Sequence, residues 1–241
     1  MKSIIVIPAR IQSSRLPRKP LIQIAGKSLI QRTYERCNLA VPKERIYVAT
    51  DNSEIFKHCE QNDIQVLMTS ENCLTGTDRV AEVAEQIEAD YYINVQGDEP
   101  LMNPQDIIDT IKAAEKYNGE IINGYAPIDE QDYLSLTVPK VVLRPDGRLL
   151  YMSRSPIPGN KNAVFQKAWR QVCVYAFPKV TLKKFKKQAK KTLLEAEEDI
   201  EILRFLELGY EVRMIPLSVD SISVDVPEDV ERVKLKLNEI E

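Results

Sequence analysis

The chain has 241 residues, 44% of them hydrophobic and 29% charged, with a formal net charge of −3. That composition predicts one soluble globular domain of ordinary to large size, with enough apolar material for a sizeable core. The slight acidity argues against nonspecific nucleic-acid binding; no apolar stretch approaches the ~20 residues of a membrane span, and the run after Met1 is too short for a signal peptide, so a cytoplasmic protein is expected.

Short β-rich runs alternate with amphipathic stretches through the first 120 or so residues. Residues 3–9 (SIIVIPA) read as a strand. Residues 27–40 read as a helix with Leu29, Ile30, Thr33, Tyr34 and Cys37 on one side. Strands follow at 45–51, 64–70 and 90–95, and helices at 53–62, 76–88 and 103–117. This alternation predicts a parallel sheet covered on both faces. Ligands in such sheets bind beyond the carboxyl ends of the strands, where the stretches PARIQSSR, ATD and QGDEP all fall.

The second half is less regular. Residues 139–158 suggest a hairpin turning at Arg144-Pro145-Asp146-Gly147. A strand at 169–177 is followed by helices at 181–191 and 193–209, the latter stopped by Gly209. Strands at 210–218 and 221–226 precede a closing helix at 227–241. One α/β domain is expected over 1–241, with an inserted β-rich lobe at about 125–185.

Four stretches carry candidate chemistry. Arg10, Arg15, Arg18 and Lys19 crowd the loop after the first strand, with no glycine before Gly26. Such a loop suits a polyanion, because arginine grips phosphate bidentately and lysine supplies a point charge. No Walker or GxGxxG fingerprint is present, so side chains would have to hold the phosphates; a solvated basic loop is the plain alternative. Asp98 and Glu99 follow an apolar strand on the turn at Gly97, where a carboxylate could hold Mg²⁺ or merely belong to an acidic turn. Asp225 precedes Pro227, which suits the first residue of the last helix, while Val226 is a poor N-cap; Asp225 is either a shifted cap or a second metal carboxylate. Thr75 to Asp78 begin a helix that places Arg79 in its first turn, against the macrodipole, which suggests an anion nearby.

Other features read as structural. The basic run Lys183–Lys191 reads as a solvated helix face. Cys37, Cys59, Cys73 and Cys173 are scattered without a CxxC pair and read as reduced thiols. The single histidine, His58, lies in a surface-helix pattern with a structural or solvated role, and leaves no multi-histidine metal centre to build.

These motifs, in order along nearly the whole chain, resemble those of the 3-deoxy-manno-octulosonate cytidylyltransferases (CMP-Kdo synthetases). The matching stretches are Ile7 to Leu21, Ala49 to Asp51, Thr75 to Arg79, Asn94 to Pro100, Tyr151 to Pro158, Leu194 to Gly209 and Ser223 to Val230. The resemblance implies an α/β, three-layer αβα, Rossmann-like nucleotide-diphospho-sugar transferase fold with a mostly parallel sheet. It implies a Mg²⁺-dependent reaction of CTP with an ulosonic acid to give the CMP-sugar and pyrophosphate, as in lipopolysaccharide biosynthesis, and a homodimer. By it, Arg10, Ser14, Arg15 and Lys19 would hold the triphosphate, and Pro8, Ala9, Thr75 and Arg79 would contact the nucleotide. Lys19, Arg10 and Asp98 would be catalytic, and Asp98 and Asp225 would ligate the metal. Gln96, Arg154, Gln171, Tyr175, Glu198 and Glu201 would line the sugar pocket.

The chain departs from the family pattern where the family has a histidine, a glycine and a glutamine. These positions are Gln171, Cys173 and Ile202, and a closing arginine is replaced near Pro178. The phosphate and metal motifs are intact, so the departures bear on the acceptor sugar: Kdo, a close relative, or a sialic-type nonulosonic acid. A non-catalytic nucleotide-binding module is the alternative from another class.

Overall fold

A computed structural model describes residues 1–13, 15–162, 164–219 and 221–240, without the side chain of Ile240. Ser14, an expected triphosphate residue, lies outside the described residues. The strands are β1 (Ser3–Ala9), β2 (Gln23–Ile24), β3 (Lys27–Ser28), β4 (Ile46–Thr50), β5 (Val66–Met68), β6 (Tyr91–Val95), β7 (Ile121–Ile128), β8 (Lys140–Leu143), β9 (Leu149–Ser153), β10 (Ala168–Pro178) and β11 (Val212–Pro216). The α-helices are α1 (Leu29–Ala40), α2 (Ser53–Gln61), α3 (Gly76–Gln86), α4 (Pro104–Lys116), α5 (Glu130–Leu134), α6 (Lys179–Lys186), α7 (Leu193–Glu198), α8 (Ile202–Glu207) and α9 (Pro227–Ile240).

The main sheet runs β11-β7-β10-β6-β1-β4-β5. The β6–β1–β4–β5 and β11–β7 pairings are parallel, and β10 is inserted antiparallel between β6 and β7. β1 is buried along its whole length because both of its faces are apolar. Ile5 and Ile7 pack with Ile30 and Tyr34 of α1, Ile55 of α2 and Ile107 of α4. Ile4 and Val6 pack with Val80 and Val83 of α3, Phe185 of α6 and Phe205 of α8. The result is three layers, αβα. α9 lies apart on a third cluster, where Val230, Val233 and Leu237 meet Leu16, Ile24 and Leu29.

The βα junctions are closed by side-chain caps. Ser28, Asn52, Thr75 and Asn103 each accept a backbone N–H at the start of α1, α2, α3 and α4. His58 Nε2 lies 2.7 Å from the Ser28 hydroxyl, so the single histidine braces the α1 cap.

Three elements differ from the sequence reading. β7 is not among the expected elements; residues 121–128 form a strand paired with β10 on one side and β11 on the other. Residues 193–209 form two helices instead of one, broken at Asp199 (φ 51°). Arg154 satisfies the carbonyls freed at the break, donating to Glu198 O (2.6 Å) and Asp199 O (3.1 Å). Residues 221–226 join no sheet; Val224 N–H donates to Asp98 O at 2.9 Å and fixes the segment against the β6 loop. Within 125–185, the hairpin β8–β9 hangs from the near end of β10, and residues 168–178 return to the central layer.

Candidate active site

β1 and β6 end side by side, and their following loops meet. A Cβ at Gly97 would lie 2.7 Å from Pro8 O, so only glycine lets the β6 loop pass this close to the end of β1. Asp98 therefore emerges directly above β1. Lys19 opens a single 3-10 turn, Lys19–Leu21, and returns over the same point.

Its ammonium lies 2.6 Å from Asp98 Oδ2 and 3.2 Å from Asp225 Oδ1. Arg15 Nη2 stands 3.5 Å from the same Asp225 oxygen. Burial acts to lower the Lys19 pKa, but the two carboxylates outweigh it and hold the pKa above its ordinary value. The Lys19 side chain is only 17% exposed, so these pairs are worth more than surface ion pairs. Arg10, the remaining candidate of this loop, is exposed.

Asp225 is not the cap of α9. The N–H groups of Asp225 (2.9 Å) and Val226 (3.1 Å) donate to Asp229 Oδ2, which leaves the Asp225 carboxylate free to face the cations. Beside it, Ser221 Oγ donates to the buried carboxyl of Glu99. Burial, then the charge of Asp98, pushes Glu99 up to about 7. Among the described residues no group of three or more His, Cys, Asp or Glu converges as a metal cage. Two carboxylates converging on one cation suit Mg²⁺, which takes few protein carboxylates and fills its shell with phosphate oxygens and water.

The second wall is the N-terminus of α3. A Cβ at Gly76 would lie 3.1 Å from Pro8 Cγ and 3.3 Å from Gln96 Oε1, so the ends of β1, β6 and α3 converge. Glu201, at the start of α8, accepts from Gly76 N (3.1 Å), Thr77 N (2.8 Å) and the Thr77 hydroxyl. Its carboxylate thus occupies the positive end of α3. Burial raises its pKa, and the donors of Thr77 and Gly76 only partly offset this.

Thr75 caps α3 and donates to Asp78 Oδ2 at 2.8 Å. Asp78 is in turn paired with the fully buried Arg204 at 2.9 Å, and Arg204 also bonds Glu195 at 2.6 Å through both Nε and Nη2. Arg79 does not point into the cleft. Its guanidinium pairs with Asp51 and donates to Thr69 Oγ1 (2.7 Å) and Ser70 O (3.2 Å). The anion that the sequence implied beside Arg79 is Asp51.

The remaining sugar-pocket candidates form a framework around α7 and β10. Glu198 accepts from the Ser153 hydroxyl, Arg154 N (2.8 Å) and Tyr151 OH (3.3 Å). Burial would raise its pKa, but these hydrogen bonds prevail and lower it. Arg154 binds four main-chain carbonyls, including those of Leu136 and Thr137. Tyr175 is nearly buried and stacks on Phe177 at 5.5 Å. Gln171 Nε2 donates to Asn123 Oδ1 at 3.0 Å. Ile202 is 1% exposed within the core cluster under α3 and α8.

The structure thus joins Lys19, Asp98, Asp225 and Arg15 in one group, and Pro8, Gly76, Gln96 and Glu201 near another. It commits Arg79, Arg154 and Gln171 to internal partners. Sequence reasoning missed Asp51, Asp78 and Arg204 as supports. The signal for Arg204 was a lone cation inside the apolar run EILRFLELG.

The sequence model of the cytidylyltransferase family matches residues 4–214. A protein named 3-deoxy-manno-octulosonate cytidylyltransferase from Protochlamydia amoebophila (strain UWE25) is 38% identical over 238 residues, covering 95% of this chain and 92% of that one. Its namesake from Chlorobium phaeobacteroides (strain BS1) is 38% identical over 241 residues, covering 97% and 96%. The solved structure of a CMP:2-keto-3-deoxy-manno-octonic acid synthetase complexed with CTP superposes with a TM-score of 0.93 at 33% identity, covering 100% of both chains. By sequence along its whole length and by fold, the chain belongs to the cytidylyltransferase family, among the 3-deoxy-manno-octulosonate cytidylyltransferases.

Proposed function

We propose that this chain is a Mg²⁺-dependent CMP-Kdo synthetase, transferring the cytidylyl group of CTP to Kdo or a close structural relative. The observation that carries the reading is the convergence of Lys19, Arg15, Asp98 and Asp225 at the carboxyl end of the parallel strands. Mere nucleotide binding does not need two carboxylates facing one cation. The anomeric 2-hydroxyl attacks the α-phosphorus and releases its proton to solvent, the new P–O bond forms, and the bond to pyrophosphate breaks.

Asp98 and Asp225 would hold the metal, which neutralises phosphate charge when bound. Lys19, Arg15 and Arg10 face the triphosphate, where charge grows on the departing pyrophosphate. Gln96, Tyr175, Glu198 and Glu201 would line the acceptor side of the site. Positioning and charge neutralisation suffice, and no histidine base is required.

Four free thiols suit a reducing, cytoplasmic setting. Exposed Leu134, Leu136, Leu150 and Val164 around the β8–β9 lobe suit a homodimer contact. Pyrophosphate release from CTP, Mg²⁺ and a panel of ulosonic acids tests the reading. Turnover requiring CTP and Kdo supports it, and no turnover with any acid overturns it.

A further inference from the structure

We propose that Asn123 is a positioning residue of the acceptor half of the site, acting through a bulge in β10 that its side chain holds; the proposal rests on the reading above. Along β10, Val172 and Tyr175 pair with Gly124 and Asn123, which are adjacent on β7. Cys173 and Val174 therefore have no counterpart on that side. A buried carbonyl without a donor costs about 1–3 kcal/mol, so such a bulge survives only if its polar groups are satisfied.

Asn123 does this with one amide. Its Nδ2 donates to Val172 O and to Val174 O, each at 3.0 Å, and its Oδ1 accepts from Gln171 Nε2 at 3.0 Å. Asn123 is fully buried and Gln171 nearly so. An asparagine inside an apolar strand is otherwise a poor β residue, and here every polar atom of its side chain is used.

The bulge sits where β6 runs out. Val174 pairs with Val95, the last residue of β6, and Gln96 N–H then donates to Cys173 O at 3.5 Å. The segment that Asn123 shapes is therefore the wall facing the Gln96–Glu99 loop. Cys173 lies near the Asp98 and Glu99 carboxylates, and Tyr175 follows on the same wall. Bulges commonly re-aim side chains beside active sites. Gln171 becomes a support of this device, because its amide donor is turned away to Asn123.

The test compares Asn123→Leu, which removes all three hydrogen bonds at similar volume, with Gln171→Leu, which leaves both carbonyl bonds in place. Hydrogen–deuterium exchange is followed on the peptide spanning 171–176, with CTP affinity by calorimetry and initial rates against Kdo. Asn123→Leu is expected to raise exchange in that peptide and raise the KM for Kdo by about tenfold or more. CTP affinity should stay within about twofold of wild type, and Gln171→Leu should raise the KM for Kdo only about threefold. If Asn123→Leu does not fold, Asn123→Ser, which keeps one hydroxyl donor, carries the same comparison. Unchanged exchange overturns the proposal, as does an unchanged KM alongside raised exchange. A larger effect for Gln171→Leu than for Asn123→Leu overturns it too, since Gln171 would then touch the sugar itself. Wild-type protein inactive with every acid overturns the functional reading separately, and the exchange result still reports on the bulge.

Discussion

Lys19 and Asp98 form an ion pair of 2.6 Å, and Asp225 completes it from the far end of the chain; these two carboxylates are the proposed holders of a divalent cation. With no metal bound, the lysine keeps two like charges together. On the proposed reading, a metal held by Asp98 and Asp225 would displace the lysine and free its ammonium toward the phosphates. Lys19→Met should therefore tighten divalent-metal binding in the absence of nucleotide, by about tenfold (about 1.4 kcal/mol), read by Mn²⁺ electron paramagnetic resonance titration. The same variant should lose most turnover. Weakened metal binding would show that Lys19 organises the carboxylates rather than competing for them.

Asp225 and Asp229 are four residues apart and have separate duties. Asp225→Asn should lower kcat/KM by on the order of 10²–10³-fold with little change in stability, and Asp98→Asn should match it. Asp229→Asn weakens the cap of α9 and should cost up to about 1 kcal/mol in urea denaturation with near-normal turnover. Reversed behaviour of the two variants would reassign the metal carboxylate.

Arg204 is fully buried and holds Asp78 and Glu195 at once, with its guanidinium 3.7 Å from the centroid of the Phe185 ring. Removing one member leaves buried charges uncompensated. Arg204→Met should cost about 3–5 kcal/mol in chemical denaturation. Replacing Asp78 and Glu195 with Asn and Gln in the same chain should recover part of that loss. A cost below about 1 kcal/mol would mean that water reaches the carboxylates.

The first half of the fold was legible because short, continuously apolar strand runs alternate with amphipathic 3.6-period stretches that carry their own caps. β7 was hidden because Asn123-Gly124 has the chemistry of a turn, and only the buried carbonyls of β10 explain the asparagine. The break at Asp199 was equally hidden, since the side chain that satisfies its carbonyls, Arg154, lies 44 residues from Glu198. The same distinction applies to the site. Strand-end motifs were visible one by one, but the meeting of Lys19 with partners 79 and 206 residues away is a property of topology.

Glu201 makes stability depend on pH. Its folded pKa is raised above the ordinary 4.5, so as pH rises the unfolded chain releases this proton first. Between the two values the folded state binds more protons, and stability falls with rising pH. Glu201→Gln removes that slope. The stability of Glu201→Gln relative to wild type should therefore increase as pH is raised from about 4.5 through the folded pKa, then level off. Urea midpoints for both proteins across that range check it, and a constant difference would show that Glu201 does not titrate abnormally.

Ile202 provides the last test, because sequence and structure assign it different roles. The family pattern has a glutamine here, which made an altered acceptor pocket the natural expectation. In the fold, Ile202 begins α8 and is 1% exposed, packed with the cluster that includes Val80, Tyr175 and Phe205. Its neighbour Glu201 takes the outward position, on the N–H groups of α3. A glutamine at 202 would bring a carboxamide into apolar surroundings, where an unpaired amide costs about 1–3 kcal/mol. Ile202→Gln should lower stability by that amount and leave kcat/KM for Kdo within about twofold of wild type. Should the variant instead gain tenfold or more with Kdo at unchanged stability, the glutamine reaches the sugar. The departure at this position would then mark an acceptor with a less polar group at that point, and in competition assays a relative of Kdo or a sialic-type acid would outcompete Kdo.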